Sequence, residues 1–370
     1  MTHSLRVLLL VSDAFGGHGG IARFNRDLTE ALSASGAVRE VVVLPRRVPE
    51  APKLPSEAIV QLPAPQNKAS YSLRALRTAA DGFDVVVCGH VNLLPVAAAA
   101  RLLASRPGRA ARLALILHGV DAWQPVAVPG LSGVDLVVSV SEFTMERFLD
   151  WSRFPRERSV VLPNTYDETL RPGPKPADLV RRYRLDGRDV VMILARLDTT
   201  DRGKGVAEML AVLPALARAR PTVSYLVCGN GDDRAWLADE ARRHGVHDRV
   251  VFAGFVSEEE KAAHYRLADA FVLCGHQEGF GIVLLEAIAC GIPVVASVAD
   301  GSREAVLGGE LGELADPADP ESLRDAVLRA LGRPTEDHRA RLAAAFGRDV
   351  FTERVTGIVE RLRAPDATAD

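Results

Sequence analysis

Short apolar runs rich in valine, leucine and isoleucine recur along the 370 residues, spaced so that one helix fits between nearly every pair. Runs without polar alternation need cover on both faces, which is the pattern of parallel sheets with helices on either side. Strands are expected at Leu5–Val11, Glu40–Leu44, Asp84–Cys88, Arg112–Leu117, Asp135–Ser139 and Ser159–Leu162, then at Asp189–Ala195, Val223–Cys228, Arg249–Phe252, Ala270–Leu273 and Pro293–Ala296. Between the two series lies "NTYDETLRPGPKPAD", Asn164 to Asp178, whose prolines and charges read as a linker. A chain of this length supports two domains. The expected boundaries are 1–165, 166–349, and a helix from 350 that returns to the first domain before the tail "RAPDATAD", read as disordered. The fold class is therefore α/β, with two doubly wound Rossmann-like halves. Such halves place a ligand cleft between the carboxyl ends of both sheets.

Charge removes one class of partner. Lys plus Arg (45) nearly balance Asp plus Glu (48), so the net charge of −3 provides no field for nucleic acid. The excess is uneven: residues 1–165 hold 18 basic and 14 acidic side chains, leaving 27 and 34 for the remainder. The first half is thus the better candidate for an anionic surface. No window approaches ~18 uncharged apolar residues, so no membrane span is expected, and the run Val7–Val11 is too short for a signal-peptide core. Cys88, Cys228, Cys274 and Cys290 each sit in an apolar run without C-x-x-C spacing, and read as buried thiols in a reducing cytosol.

Three stretches look built for a diphosphate. In "SDAFGGHGGIARF" the first strand breaks into glycines, and a helix starts near Gly20 with free amides at its positive end. In "ARLDTTDRGKGV" Arg196 leaves a strand end and Lys204 stands at the next helix start, so two cations converge. In "HQEGFGIVLLEAIACGIPVV" the turn before the helix Ile282–Cys290 points the amides of Phe280, Gly281, Ile282 and Val283 outward as anion donors. Here Glu278 and Glu286 flank the anion site. Carboxylates repel phosphate but accept strongly from paired sugar hydroxyls. A ligand with phosphates at its middle and hydroxylated rings at both ends needs both, and a nucleotide sugar is such a ligand.

These motifs, with "LHGVDAW", "VSVSEFT", "LVCGNGDD", "VVFAGFVSEEEKAAHYRLADAFVL", "GIPVVAS" and "GSREAV", resemble in order and spacing the retaining glycosyltransferases of family four, whose signature is E-x7-E and whose fold is GT-B. The resemblance spans nearly the whole chain. It implies that Glu278 contacts hydroxyls of the transferred sugar, that Glu286 binds the nucleoside ribose, that Arg196 and Lys204 clamp the diphosphate, and that Gly19 and Gly20 face the same phosphates. His118 matches the histidine beside the anomeric carbon; without the motif it would be one of three histidines, with His90 and His276, that simply follow strand-like runs. The family has no agreed protein nucleophile, implying a same-face substitution in which the departing phosphate helps deprotonate the acceptor. No D-x-D motif occurs, in keeping with a family that requires no metal, and no cofactor is implied. Two departures stand out: Gly203 replaces an aromatic of many relatives, and His276–Gln277 replaces a pair of small residues. Both blur donor preference.

The implied reaction moves a hexose from a UDP- or GDP-linked donor, GDP-mannose being favoured, to a hydroxyl of a glycan or polyprenyl-linked acceptor. The acceptor side falls on the first half, in "PRRVPEAPKLPSEA" and "QNKASYSLRALR", which carry no readable code. The basic excess suggests bacterial envelope or exopolysaccharide synthesis in the cytoplasm, on the inner face of the membrane. A non-hydrolysing nucleotide-sugar epimerase of the same fold and a catalytically silent nucleotide-sugar-binding subunit remain open. A nicotinamide-dependent enzyme lacks its fingerprint and its acidic residue.

Overall fold

The structure, a computed structural model, describes residues 4–126, 128–333 and 337–363; all but the first residue of the tail read as disordered lies outside these. The chain divides into two compact units, the first made of Met1–Thr165 with Arg348–Asp370, the second of Tyr166–Gly347.

Unit one is a seven-stranded parallel sheet in the order β3-β2-β1-β4-β5-β6-β7, with β1 Leu5–Val11, β2 Val38–Pro45, β3 Ile59–Gln61, β4 Val85–Cys88, β5 Arg112–Leu117, β6 Leu136–Ser139 and β7 Ser159–Val161. The order reverses between β1 and β4, where Val7 pairs with Val85. β1 from Val7 to Val11 is buried throughout, as a central strand covered on both faces requires. Helices Gly19–Ala34, Lys68–Ala79, Leu94–Ala104 and Glu142–Ser152 follow strands, and two are started by side chains: Asn67 and Ser70 form a reciprocal capping box, and Ser141 accepts from the Thr144 amide. The closing helix Arg348–Arg363 packs Phe351 edge-on against Phe24 at 6.1 Å and buries Val355, Ile358, Val359 and Leu362. Arg348 reaches Glu30 at 2.5 Å.

Unit two is a six-stranded parallel sheet ordered β10-β9-β8-β11-β12-β13, with β8 Asp189–Leu194, β9 Val223–Cys228, β10 Val250–Gly254, β11 Ala270–Leu273, β12 Val294–Ser297 and β13 Glu313–Ala315. Its order reverses between β8 and β11. A ligand belongs at the carboxyl end of such a reversal. The helix Ile282–Ala289 is apolar nearly all round and mostly buried, as an interior helix must be; Cys290 is its C-cap rather than its last residue. The four cysteines are free and buried.

Eleven strands stand where the sequence pattern puts them, within a residue or two. Two more, β3 and β13, were not expected. Each has three residues, lies at a sheet edge, and precedes proline or aspartate within two positions, so neither length nor composition announces it. The stretch Asn164–Asp178 is irregular up to Ala177, yet Thr165, Tyr166 and Leu170 are buried in it.

Candidate functional site

In unit two the loops leaving β8 and β11 lie backbone against backbone. A Cβ on Gly205 (φ +92°) would come within 2.3 Å of the Cys274 carbonyl oxygen, and one on Gly275 within 2.0 Å of that of Gly203. Only glycine permits this approach. The His276 amide donates to the Gly203 carbonyl at 2.9 Å, closing the seam. It carries Lys204 to the Glu278 loop: the ammonium donates to Glu278 Oε2 at 2.8 Å and to the Gln277 carbonyl at 3.0 Å. An ammonium has three N–H groups, so one is left for a ligand.

Arg196 stands at the end of β8 with 72% of its side chain exposed, touching Asp201 at 3.1 Å. Arg202, between the two, is committed elsewhere. It makes a two-pronged pair with Asp233 at 2.6 and 2.8 Å and stacks on Trp236 at 4.1 Å. The loop therefore offers Arg196 and Lys204, not Arg202.

The Glu278 loop is held from below by Asp300, which is fully buried. Asp300 Oδ2 accepts from the Glu278 amide at 3.0 Å, while the Gly301 amide donates back to the Glu278 carbonyl at 2.9 Å. Oδ1 accepts from the Ser302 hydroxyl at 2.6 Å and its amide at 3.0 Å. Burial pushes the Asp300 carboxyl up to about 6, and the neighbouring charge of Glu278 adds to the rise. Beyond the loop, Gly281 (φ +91°) turns the chain into the helix Ile282–Ala289, whose start no side chain caps. The amides of Ile282 and Val283 cannot bond within the helix and are available to an anion. Phe280 is buried and packs edge-on against Phe346 at 5.5 Å, and its amide, expected as an anion donor, points instead to Glu278 Oε1 at 3.5 Å.

Glu286 lies inside that helix with its side chain 2% exposed. An unpaired carboxylate there would be costly. It has two partners: Lys261 donates to Oε1 at 3.2 Å and the Tyr265 hydroxyl to Oε2 at 2.7 Å.

In unit one, Gly19 (φ +85°) and Gly20 are exposed at the uncapped start of their helix, and the space around a Cβ on Gly19 is empty for 4 Å. His118 follows β5. Its Nε2 lies 2.9 Å from the Gly89 carbonyl, which can only accept, so Nε2 carries the hydrogen and Nδ1 keeps a lone pair. Burial pushes this imidazole down to about 4, so it is neutral near pH 7. It packs edge-on against Phe24 at 5.2 Å. Three residues on, one oxygen of Asp121 is buried without a hydrogen-bond partner, and burial pushes the carboxyl up to about 7. His90 serves its own turn, its Nδ1 accepting from the Asn92 amide at 3.1 Å.

The structure thus brings Lys204 onto the Glu278 loop ahead of the Ile282–Ala289 helix; Arg196, held by Asp201, and Glu286, held by Lys261 and Tyr265, are in the same unit with partners of their own, and Gly19, Gly20 and His118 belong to unit one. Sequence reasoning missed Asp300, Lys261, Tyr265 and Asp121. One signal was present: Lys261 and Tyr265 are spaced i, i+4 and so share a helix face. Among the described residues no group of three His, Cys, Asp or Glu side chains could hold a metal ion, and no helix is long and apolar enough to cross a membrane.

Residues 18–170 match the family model described as Glycosyltransferase Family 4, and residues 180–346 match that of Glycosyl transferases group 1. The chain is 30% identical over 371 residues to a GDP-mannose-dependent alpha-(1-6)-phosphatidylinositol monomannoside mannosyltransferase of Mycobacterium tuberculosis, covering 94% of each. It is 36% identical over 263 residues to the enzyme of that description from Mycolicibacterium smegmatis, covering 66% of this chain and 65% of that one. Among solved structures it resembles the Anabaena HepE protein in complex with UDP-glucose (TM-score 0.75, 21% identity, 96% and 99% of the two chains) and a sucrose-phosphate synthase from Thermosynechococcus elongatus (0.74, 21%, 97% and 99%).

Proposed function

Because this chain belongs to glycosyltransferase family 4 and has the GT-B fold, we propose that it transfers a hexose, with retention of configuration, from a nucleoside-diphosphate sugar to a hydroxyl of a glycan or lipid-linked acceptor. The observation that carries this reading is the Lys204–Glu278 pair beside an uncapped helix start. It sets a cation, free amides and a hydroxyl acceptor together at the reversal of one sheet. In this reading Lys204, Arg196 and the helix amides stabilise charge that grows on the departing diphosphate, which is work a metal ion does in other enzymes. Glu278 accepts from hydroxyls of the transferred sugar and Glu286 from the ribose. Unit one offers contacts of its own: the amides at Gly19 and Gly20 for an anion, and the Nδ1 lone pair of His118 for a hydroxyl. The departing phosphate takes the acceptor proton on the same face, and protein groups act by position and electrostatics.

GDP-mannose is the favoured donor, a choice supported by the mycobacterial relatives, which are GDP-mannose-dependent mannosyltransferases. A role in envelope or exopolysaccharide synthesis, with peripheral contact on the inner membrane face, belongs to the same proposal; the lipid acceptor in those relatives' names and the basic excess of residues 1–165 support it. The test is a thermal-shift screen of UDP- and GDP-sugars, since a ligand that binds only the folded state raises the melting temperature. Transfer from the stabilising donor then follows, with the product anomer read by NMR. An inverted anomer, or donor turnover without acceptor to an epimerised sugar, would overturn the proposal.

A further inference from the structure

Glu286 is the most enclosed charged group among the ligand candidates, and what encloses it is specific. Lys261 and Tyr265 stand one turn apart on the short helix Lys261–Tyr265, so one element delivers a donor to each carboxylate oxygen. Tyr265 is itself fully buried and braced against Phe271 at 5.6 Å. Lys261 also reaches Glu258 Oε2 at 3.0 Å. Burial works against the Lys261 charge, but Glu286 and Glu258 outweigh it and hold the ammonium above its ordinary value. The carboxylate therefore cannot rotate without breaking a bond on both sides. Each oxygen retains further acceptor capacity.

We propose that Lys261 and Tyr265 are positioning residues, which fix both oxygens of Glu286 so that their remaining lone pairs meet two neighbouring hydroxyls at set points. This rests on the assignment of Glu286 to the ribose. Preorganisation of this kind matters because an acceptor oriented in advance spends none of the ligand's binding free energy on being ordered. Neither residue need touch the nucleotide.

The test is calorimetric titration of GDP and 2′-deoxy-GDP, or the uridine pair if the donor screen favours UDP, into wild type, Lys261→Met, Tyr265→Phe and Glu286→Gln. Wild type should lose roughly tenfold or more in affinity when the 2′-hydroxyl is removed, the range for leaving a buried charged acceptor unmet. In Lys261→Met and Tyr265→Phe that penalty should shrink to under about threefold, because a carboxylate that is no longer held gains less from the hydroxyl. Equal weakening of both nucleotides in those variants, with the wild-type penalty kept, would make the two residues merely structural and overturn the inference alone. No penalty in wild type, together with unchanged binding by Glu286→Gln, would instead overturn the ribose assignment and the inference with it. Should Lys261→Met not fold, Tyr265→Phe carries the test, since it removes one oxygen and almost no volume.

Discussion

Gln277 fills the space that any side chain at position 203 would need. A Cβ built on Gly203 would lie 2.5 Å from Gln277 Cγ and Cδ, and the Gly203 amide donates to Gln277 Oε1 at 3.3 Å. The two departures noted in the sequence are therefore in contact, and a side chain at 203 would require Gln277 to move. Gly203→Tyr alone should lower the melting temperature and donor use, by roughly 1–3 kcal/mol of overpacking. Adding Gln277→Ser should recover most of both. Additive losses in the double variant, measured by a thermal and kinetic cycle, would show the positions to be independent.

Arg196 and Lys204 should separate by stability. Arg196 is largely exposed, so Arg196→Ala should leave the unfolding free energy within about 0.5 kcal/mol of wild type while weakening kcat/KM by roughly 2–4 kcal/mol. Lys204 is mostly enclosed and bonded to Glu278 and the Gln277 carbonyl, so Lys204→Ala should cost both stability and turnover. Both cations are assigned to one diphosphate, so the double variant should lose less than the sum. Unchanged turnover at saturating donor in either single variant removes that residue from the clamp.

The two signature glutamates should differ in kind. Glu278→Gln should mainly lower kcat, and Glu286→Gln should mainly raise donor KM. Nucleoside diphosphate without sugar should bind roughly 1–3 kcal/mol more weakly to Glu286→Gln and nearly normally to Glu278→Gln. Equal losses, or a larger one for Glu278→Gln, would reverse the assignment.

Asp121 should make stability depend on pH in a known direction. Its folded carboxyl lies at about 7 against an ordinary 3.8, so the folded state binds its proton more tightly than the unfolded chain. Its contribution is fully present below about 3.8 and is lost as pH rises through 7. Asn at this position does not titrate, so the melting temperature of Asp121→Asn relative to wild type should climb from pH 5 to pH 8. A constant difference would mean that Asp121 is not perturbed.

For membrane contact, the helix Lys68–Ala79 is the better surface. Leu73 is 49% exposed and Arg74 and Arg77 are exposed with it, Arg74 giving one N–H to the Pro63 carbonyl at 3.1 Å. A second basic stretch of unit one, Arg153–Arg158, is more fully spent: Arg156 pairs with Glu142 at 2.6 Å, and Arg158 turns inward to the Val134 and Asp135 carbonyls. Sedimentation with anionic vesicles should fall steeply above ~0.1 M salt, where screening acts within ~10 Å, and Arg74→Glu with Arg77→Glu should abolish it. Binding that ignores salt, or none at all, would favour a soluble acceptor.

What could be read in advance follows from how far each feature depends on distant residues. Central strands announce themselves, because cover on both faces demands unbroken apolar runs such as Val85–Cys88. The Glu278–Glu286 spacing and the glycine turn before Ile282 are local, and so are the charges at Arg196 and Lys204. Asp300, by contrast, sits in "VADGS", which reads as an ordinary turn; its part appears only when the sheet brings it under the Glu278 amide. Lys261 and Tyr265 are hidden for the same reason, since the carboxylate they serve is more than twenty residues away.

Arg361 donates to the carbonyls of Glu157 and Ser159, and Phe351 packs on Phe24, so unit one is finished by a helix that the ribosome makes only after the whole of unit two. During synthesis the sheet β1–β7 must wait with the apolar face beneath that helix uncovered, although domains generally fold as they emerge. Unit two, being continuous, can reach its final state first, reversing the order in which the two begin.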